Sequence, residues 1–163
     1  MSQNTDYATY VLELISETSK QNGFKVIKEN KNRLTLENDK QKIKLFIYYS
    51  NGIKGNPNNI WMGVKDGTVD FLKEAKDLND RFLVVVNKKT KNFLVLPYQI
   101  EQQFMKFKNQ KGWDNTGKLG HSFDIEIFDN KARFQTRDGT YDEKYYDCNE
   151  YLNNTEILFS YRG

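Results

Sequence analysis

Side chains able to make or break covalent bonds are scarce in this chain. It has one histidine, His121, and one cysteine, Cys148. Neither a Gly-x-Ser-x-Gly elbow nor a Gly-x-x-x-x-Gly-Lys phosphate loop occurs. His121 stands between Gly120 and Ser122 with no further ligand types clustered about it, so it predicts a solvated loop residue rather than a metal ligand. A single thiol excludes an internal disulfide framework and any multi-cysteine metal site. The expectation is a chain with no catalytic residue of its own, no metal and no cofactor.

The residue types that are plentiful suit another chemistry. Lysine and arginine neutralise phosphates, and Arg, Asn and Gln can make paired hydrogen bonds to base edges. Lys42 and Lys44 share a strand face with Phe46 and Tyr48. Lys54, Asn56, Asn58 and Asn59 stand in the Gly- and Asn-rich segment Ser50–Asn59. Lys111, Asn115, Lys118 and His121 stand in a second polar segment, 109–121, and Arg133, Gln135 and Arg137 alternate along a strand with Lys131. Each also has a plainer role. Lys42 and Lys44 suit the solvated guards of an edge strand. Phe46 and Tyr48 suit core under a helix, and Glu126 facing Arg133 suits a surface ion pair of small value.

The elements that must hold these residues can be read from periodicity. Thr5 or Asp6 caps a helix running to about Asn22, with Gly23 as its stop. Tyr7, Tyr10, Val11, Leu14 and Ile15 lie on one face of it. Strands are expected at 24–28, 33–37, 42–49, 60–64, 82–86 and 92–96, and a short helix at 68–78. Phe82-Leu83-Val84-Val85-Val86 has no polar face, as in a central strand covered on both sides. Pro97 opens a helix carrying Ile100, Phe104 and Phe107. A hairpin across Asp129-Asn130 sets Ile125 opposite Phe134 and Glu126 opposite Arg133. A last strand is expected at 157–161. The expected core holds Leu14, Phe82, Val84, Val85, Leu94, Ile125 and Phe134. This is an α+β chain of about nine strands and about three helices, forming a mixed, mainly antiparallel sheet or a pseudobarrel.

At 163 residues the chain is expected to form a single domain, 1–163. Its aromatic content of 14% argues against disorder. No apolar run reaches the length of a membrane span, and Met1–Asp6 lacks the start of a secretory signal, so a cytoplasmic protein is expected. Basic residues number 25 against 22 acidic, and lysine outnumbers arginine 20 to 5. An excess of +3 is too small to define a partner, so the placement of the charges must.

Two family resemblances follow. The succession Ile47-Tyr48-Tyr49-Ser50, polar loop, Ile60-Trp61-Met62-Gly63-Val64, short helix, Phe82 to Val86 and Phe93-Leu94-Val95-Leu96-Pro97 forms one cluster. Trp113, Phe123-Asp124-Ile125-Glu126-Ile127, Ala132-Arg133-Phe134 and Asn149-Glu150-Tyr151-Leu152 form a second. Over about residues 43–155 this resembles the DNA-recognition (specificity) domains of bacterial restriction endonucleases and McrBC-related restriction systems, some of which are B-three-type pseudobarrels. The resemblance implies a defence-system module that binds double-stranded DNA, with a nuclease or motor domain on the same or a partner chain. Separately, helix, three strands, helix, strand over residues 6–87 resembles the core order of PD-(D/E)XK nucleases. Those carry Mg²⁺-binding carboxylates beside a lysine on the second and third strands. Leu45-Phe46-Ile47-Tyr48 stands where such groups belong, and Asp39 with Lys42 has the wrong spacing. That resemblance implies an intact or degenerate nuclease. A protein-interaction module remains a third class.

Overall fold

The structure is a computed structural model that describes residues 6–110, 121–135 and 147–161. Helix α1, Tyr7–Gln21, opens the chain and ends where Gly23 takes φ +83° and donates its N–H to the Lys20 carbonyl. Asp6 occupies the N-cap position without making a side-chain cap bond. The helix buries Val11, Ile15, Thr18 and Ser19, while Tyr10 stands 54% exposed and Leu14 is half-buried. The apolar stripe is therefore narrower than its residue types suggest, because aromatic Tyr tolerates water on its hydroxyl end.

Strands β1 (Lys25–Asn30), β2 (Arg33–Glu37) and β3 (Lys42–Ser50) form an antiparallel meander. β4 (Asn59–Val64) then leaves this sheet, and α2 (Asp66–Lys73) and a 3-10 turn (Leu78–Asp80) follow. β5 (Arg81–Asn87) returns parallel to β3, with Lys44 opposite Arg81 and Ser50 opposite Asn87. β6 (Asn92–Pro97) pairs antiparallel with β5 and closes a five-stranded sheet of order β1-β2-β3-β5-β6. After α3 (Tyr98–Gln110), β7 (His121–Ile127) and β8 (Ala132–Gln135) join β4 in a three-stranded antiparallel sheet, β4-β7-β8.

Among the described residues the two sheets do not close into a barrel, so the expected α+β fold with a mixed, mainly antiparallel sheet is found and its pseudobarrel alternative is corrected. Eight strands are found among the described residues. The expected last strand at 157–161 is a short helix, α4 (Ile157–Ser160). One helical turn drops Leu158 into the core and sets Phe159 against Phe24 at 5.1 Å, which buries apolar area without a free strand edge. The helix expected at 68–78 is shorter and starts earlier, and Ala75 to Asp77 leads into the 3-10 turn.

Burial explains the rest. Phe82, Val84 and Val86 face one core with Val11, Ile15 and Leu158, while Leu83 and Val85 face the other with Phe71, Ile60 and Phe134. The apolar run of β5 is thus covered on both faces, by α1 and α4 on one side and by α2, α3 and the small sheet on the other. The hairpin register is as expected, with Ile125 opposite Phe134 and Glu126 opposite Arg133. Among the described residues no helix is long and apolar enough to cross a membrane.

Candidate nucleic-acid interface and the Lys44 pocket

The segment between β3 and β4 is locked into one shape. Ile53 to Asn56 closes a turn, with the Asn56 N–H donating to the Ile53 carbonyl at 2.9 Å and Gly55 at φ +87°. Gly52 sits at φ +81°, and a Cβ there would collide with the Pro57 carbonyl. The Asn87 amide donates to that same carbonyl at 2.6 Å, and the Ile127 N–H donates to the Asn58 carbonyl at 2.8 Å. β5 and β7 therefore anchor the loop, and its tip presents Ile53, Lys54 and Asn56 to solvent. Asn58 is half-buried. Asn59 is also half-buried, and its amide oxygen is buried in β4 with no hydrogen-bond partner among the described residues.

The loop runs into the outer face of the small sheet. Alternation along β4 buries Ile60, Met62 and Val64 and leaves Trp61 49% exposed. Asp124 stands opposite Trp61 and Gln135 opposite Asp124. Asn59 pairs with Glu126, which pairs in turn with Arg133. Register thus sets Asn59, at the end of the Ser50–Asn59 segment, two strands from Arg133 across β7. Arg133 Nε donates to Glu126 Oε1 at 2.8 Å, and the Glu126 side chain is only 11% exposed. The guanidinium is half-buried, so this pair is partly desolvated rather than a surface pair. His121 takes the register position opposite Val64. Lys111, Lys118 and Arg137 lie outside the described residues.

The other sheet holds the residue that the expectation misplaces. Lys42 is exposed, with Glu37 at 3.7 Å. Lys44 is not available to a duplex surface, since α2 covers it and its side chain is 6% exposed. Its Nζ donates to Thr35 Oγ1 at 2.8 Å, pairs with Glu74 at 3.0 Å and with Glu29 at 3.7 Å, and lies 4.9 Å from the Phe71 ring centroid. Arg33 lies 5.2 Å from the same centroid. Phe46 and Tyr48 are half-buried against the core beside it, the plainer of their two roles. Nothing local in sequence marks this pocket, because Glu29 and Glu74 arrive from β1 and from just past α2. Glu74 also borders an open cleft of about 630 Å³, lined by Glu37, Gln41, Lys42, Asp77 and Asp80 among others. Asp80 accepts a hydrogen bond from Gln41 Nε2 at 2.8 Å.

Burial pushes the Cys148 thiol up, well away from a reactive thiolate. Among the described residues no three His, Cys, Asp or Glu side chains gather as a metal site would need. Comparison with protein-family models, with curated proteins and with solved structures finds no match.

Proposed function

We propose that this chain is a duplex-DNA-binding module of a restriction or related defence system, acting in the cytoplasm without a cofactor. The observation that carries the reading is the locked turn Ile53–Asn56, which aims Lys54 and Asn56 into solvent beside exposed Trp61, with Arg133 two strands away. A loop pinned in this way loses little entropy on binding, so its polar groups can be aimed at phosphates and base edges in advance. Catalysis, where the system needs it, comes from a nuclease or motor domain on the same or a partner chain.

Element order favours a second reading, a degenerate PD-(D/E)XK-type nuclease. Helix α1, the meander β1-β2-β3, helix α2 and strand β5 parallel to β3 follow that order, with β4 inserted. The motif positions hold Phe46 and Tyr48, and the buried lysine on β3 faces Glu29 and Glu74 from outside the motif strands. This reading keeps DNA as the partner and gives up cleavage.

The test is binding of methylated and unmethylated mixed-sequence duplexes across a salt series. Lys54→Ala is expected to weaken every duplex about equally and to lower the salt slope by about one. A wild type without salt-dependent binding to any duplex refutes the DNA reading, and salt-independent capture of a protein would then mark an interaction module. No nicking is expected with Mg²⁺ or Mn²⁺, and divalent-dependent nicking abolished by Asp39→Ala would establish the nuclease instead.

A further inference from the structure

We infer that the end of the molecule where three turns meet is a phosphate-contacting face, and that Lys88, Lys89, Lys91 and Lys131 join Lys54 there in holding the backbone of duplex DNA. The inference rests on the duplex-binding reading and adds to it two turns to which the sequence assigned no contact.

The three turns are the Ser50–Asn59 segment, the β5–β6 connection 88–91 and the β7–β8 connection 128–131. They are far apart in sequence, yet each is hydrogen-bonded at its root to both of the others. The Lys88 N–H donates to the Ser50 carbonyl at 2.7 Å, and the Asn87 amide donates to the Pro57 carbonyl at 2.6 Å. The Asn92 amide donates to Asp129 Oδ1 at 3.3 Å, and the Ile127 N–H donates to the Asn58 carbonyl at 2.8 Å. Because β3 and β5 run parallel, the segments that leave them emerge at the same end.

Buried amides build this end. Asn87 and Asn92 pair across β5 and β6 and are 0% and 5% exposed. Asn87 Oδ1 accepts the N–H groups of Lys89 and Thr90 at 3.0 and 3.1 Å, so one side chain both shapes the lysine turn and ties it to the neighbouring loop. A buried amide is costly unless bonded, and here its bonds go to fixing the turn. Lys91 closes the turn at φ +60°, in the left-handed region that Gly or Asn occupies more cheaply. Backbone stability favours glycine at that position, and the chain sets a charge there instead.

The five lysines are exposed, and among the described residues none of them pairs with a carboxylate. The one acid in the three turns is Asp129, whose Oδ1 is engaged by Asn92. Five lysines against one aspartate exceed the +3 of the whole chain, so its positive charge is gathered at this end. At the opposite end of β3 and β5 lies the cleft, where Glu37, Glu74, Asp77 and Asp80 outnumber three lysines. Charge divided in this way orients an approaching polyanion toward the lysine turns. Asn51, Asn56 and Asn130 are exposed among the lysines, and Ile53 is the exposed large apolar side chain of the three turns. Such a face suits phosphates and base edges better than a lipid surface, which requires apolar area to bury as well as charge.

Fluorescence anisotropy of a labelled mixed-sequence duplex, read across a salt series with the purified full chain, tests this. Lys88→Ala/Lys89→Ala/Lys91→Gly is expected to lower the salt slope by about three and to weaken binding at about 0.1 M salt by at least about tenfold. Lys91→Gly alone is expected to raise the melting temperature by about 2–4 °C while lowering the slope by about one, since glycine takes a positive φ freely. Lys25→Ala/Lys40→Ala/Lys76→Ala removes the same charge from the cleft end, where Lys25 lies opposite Glu37, and is expected to keep the wild-type slope. If the wild type binds and the turn variant keeps its slope, or the cleft-end variant loses as much, the inference is overturned and the duplex reading stands. If the wild type binds no duplex, both are overturned, and binding to phosphatidylserine vesicles that the turn variant loses would assign the face to a membrane instead. Should the triple variant fail to fold, Lys88→Ala/Lys89→Ala replaces it, with a slope lower by about two expected and an unchanged slope overturning the inference.

Discussion

Phe134→Ala is the sharpest test of how the small sheet is seated. Phe134 is 1% exposed and lies opposite Ile125 on β7. Its ring stacks on Phe104 of α3 with centroids 4.2 Å apart and planes 5° from parallel. Truncation removes a fully buried ring, which costs about 3–5 kcal/mol through lost transfer energy and the cavity left behind. The stacked partner adds about 0.5–1.5 kcal/mol beyond area alone, so the upper half of that range is expected. For a chain of this size each kcal/mol lowers the melting temperature by about 2–4 °C, so a loss of about 10–15 °C should accompany it. Urea unfolding followed by circular dichroism measures the change, and the m-value should stay constant. A double-mutant cycle with Phe104→Ala isolates the ring pair, with about 0.5–1.5 kcal/mol of coupling expected. A loss below about 0.5 kcal/mol would mean that Phe134 does not face the core and that the β7–β8 register is wrong by one residue.

Three further outcomes are expected. Gly52→Ala should cost about 1–3 kcal/mol, because φ is +81° and the new methyl would strike the Pro57 carbonyl, and it should weaken duplex binding along with the loop geometry; a fully stable variant, judged by urea melts, would show that the loop is not locked. Lys44→Met should change stability by no more than about 1 kcal/mol, since a thioether packs on Phe71 and the two exposed carboxylates can turn to water; a loss above about 3 kcal/mol would show that the ammonium itself stabilises the fold. Burial holds the phenols of Tyr49 and Tyr98 up at about 12, against 10.0 for a free one, so the folded chain keeps protons that the unfolded chain releases. Stability from these groups is therefore complete below pH 10 and falls as pH rises through 10 to 12. Tyrosinate absorbance should appear together with loss of circular dichroism, and ionisation well before unfolding would contradict the burial.

Several features of the fold were legible because they depend on neighbours in sequence. The two-residue connection at Asp129-Asn130, with alternation on either side, settles the β7–β8 register and hence the Glu126–Arg133 pair. The unbroken apolar run Phe82–Val86 could only be a strand covered on both faces, and so it is. Gly23 ends α1 because a positive φ is cheap there. The exposure of Trp61 was also within reach, since strand alternation sets it opposite in sense to Ile60 and Met62.

What the tertiary structure alone decided concerns partners far apart in the chain. Alternation says that the two faces of a strand differ, but not which element will cover each. Lys44 shares its strand face with exposed Lys42, yet α2 lands on it and turns a surface charge into a buried one with carboxylates from β1 and beyond α2. β4 reads as one more strand of a single sheet, yet it joins β7 because its buried stripe meets Ile125 and Phe134 across the second core. Ile157 to Ser160 has strand-forming residues but folds as a helical turn, since a turn is enough to seat Leu158 beneath the sheet. In each case local preference amounts to tenths of a kcal/mol per residue, while burying one large apolar side chain contributes about 1.5–3 kcal/mol, so packing against distant residues settles the outcome.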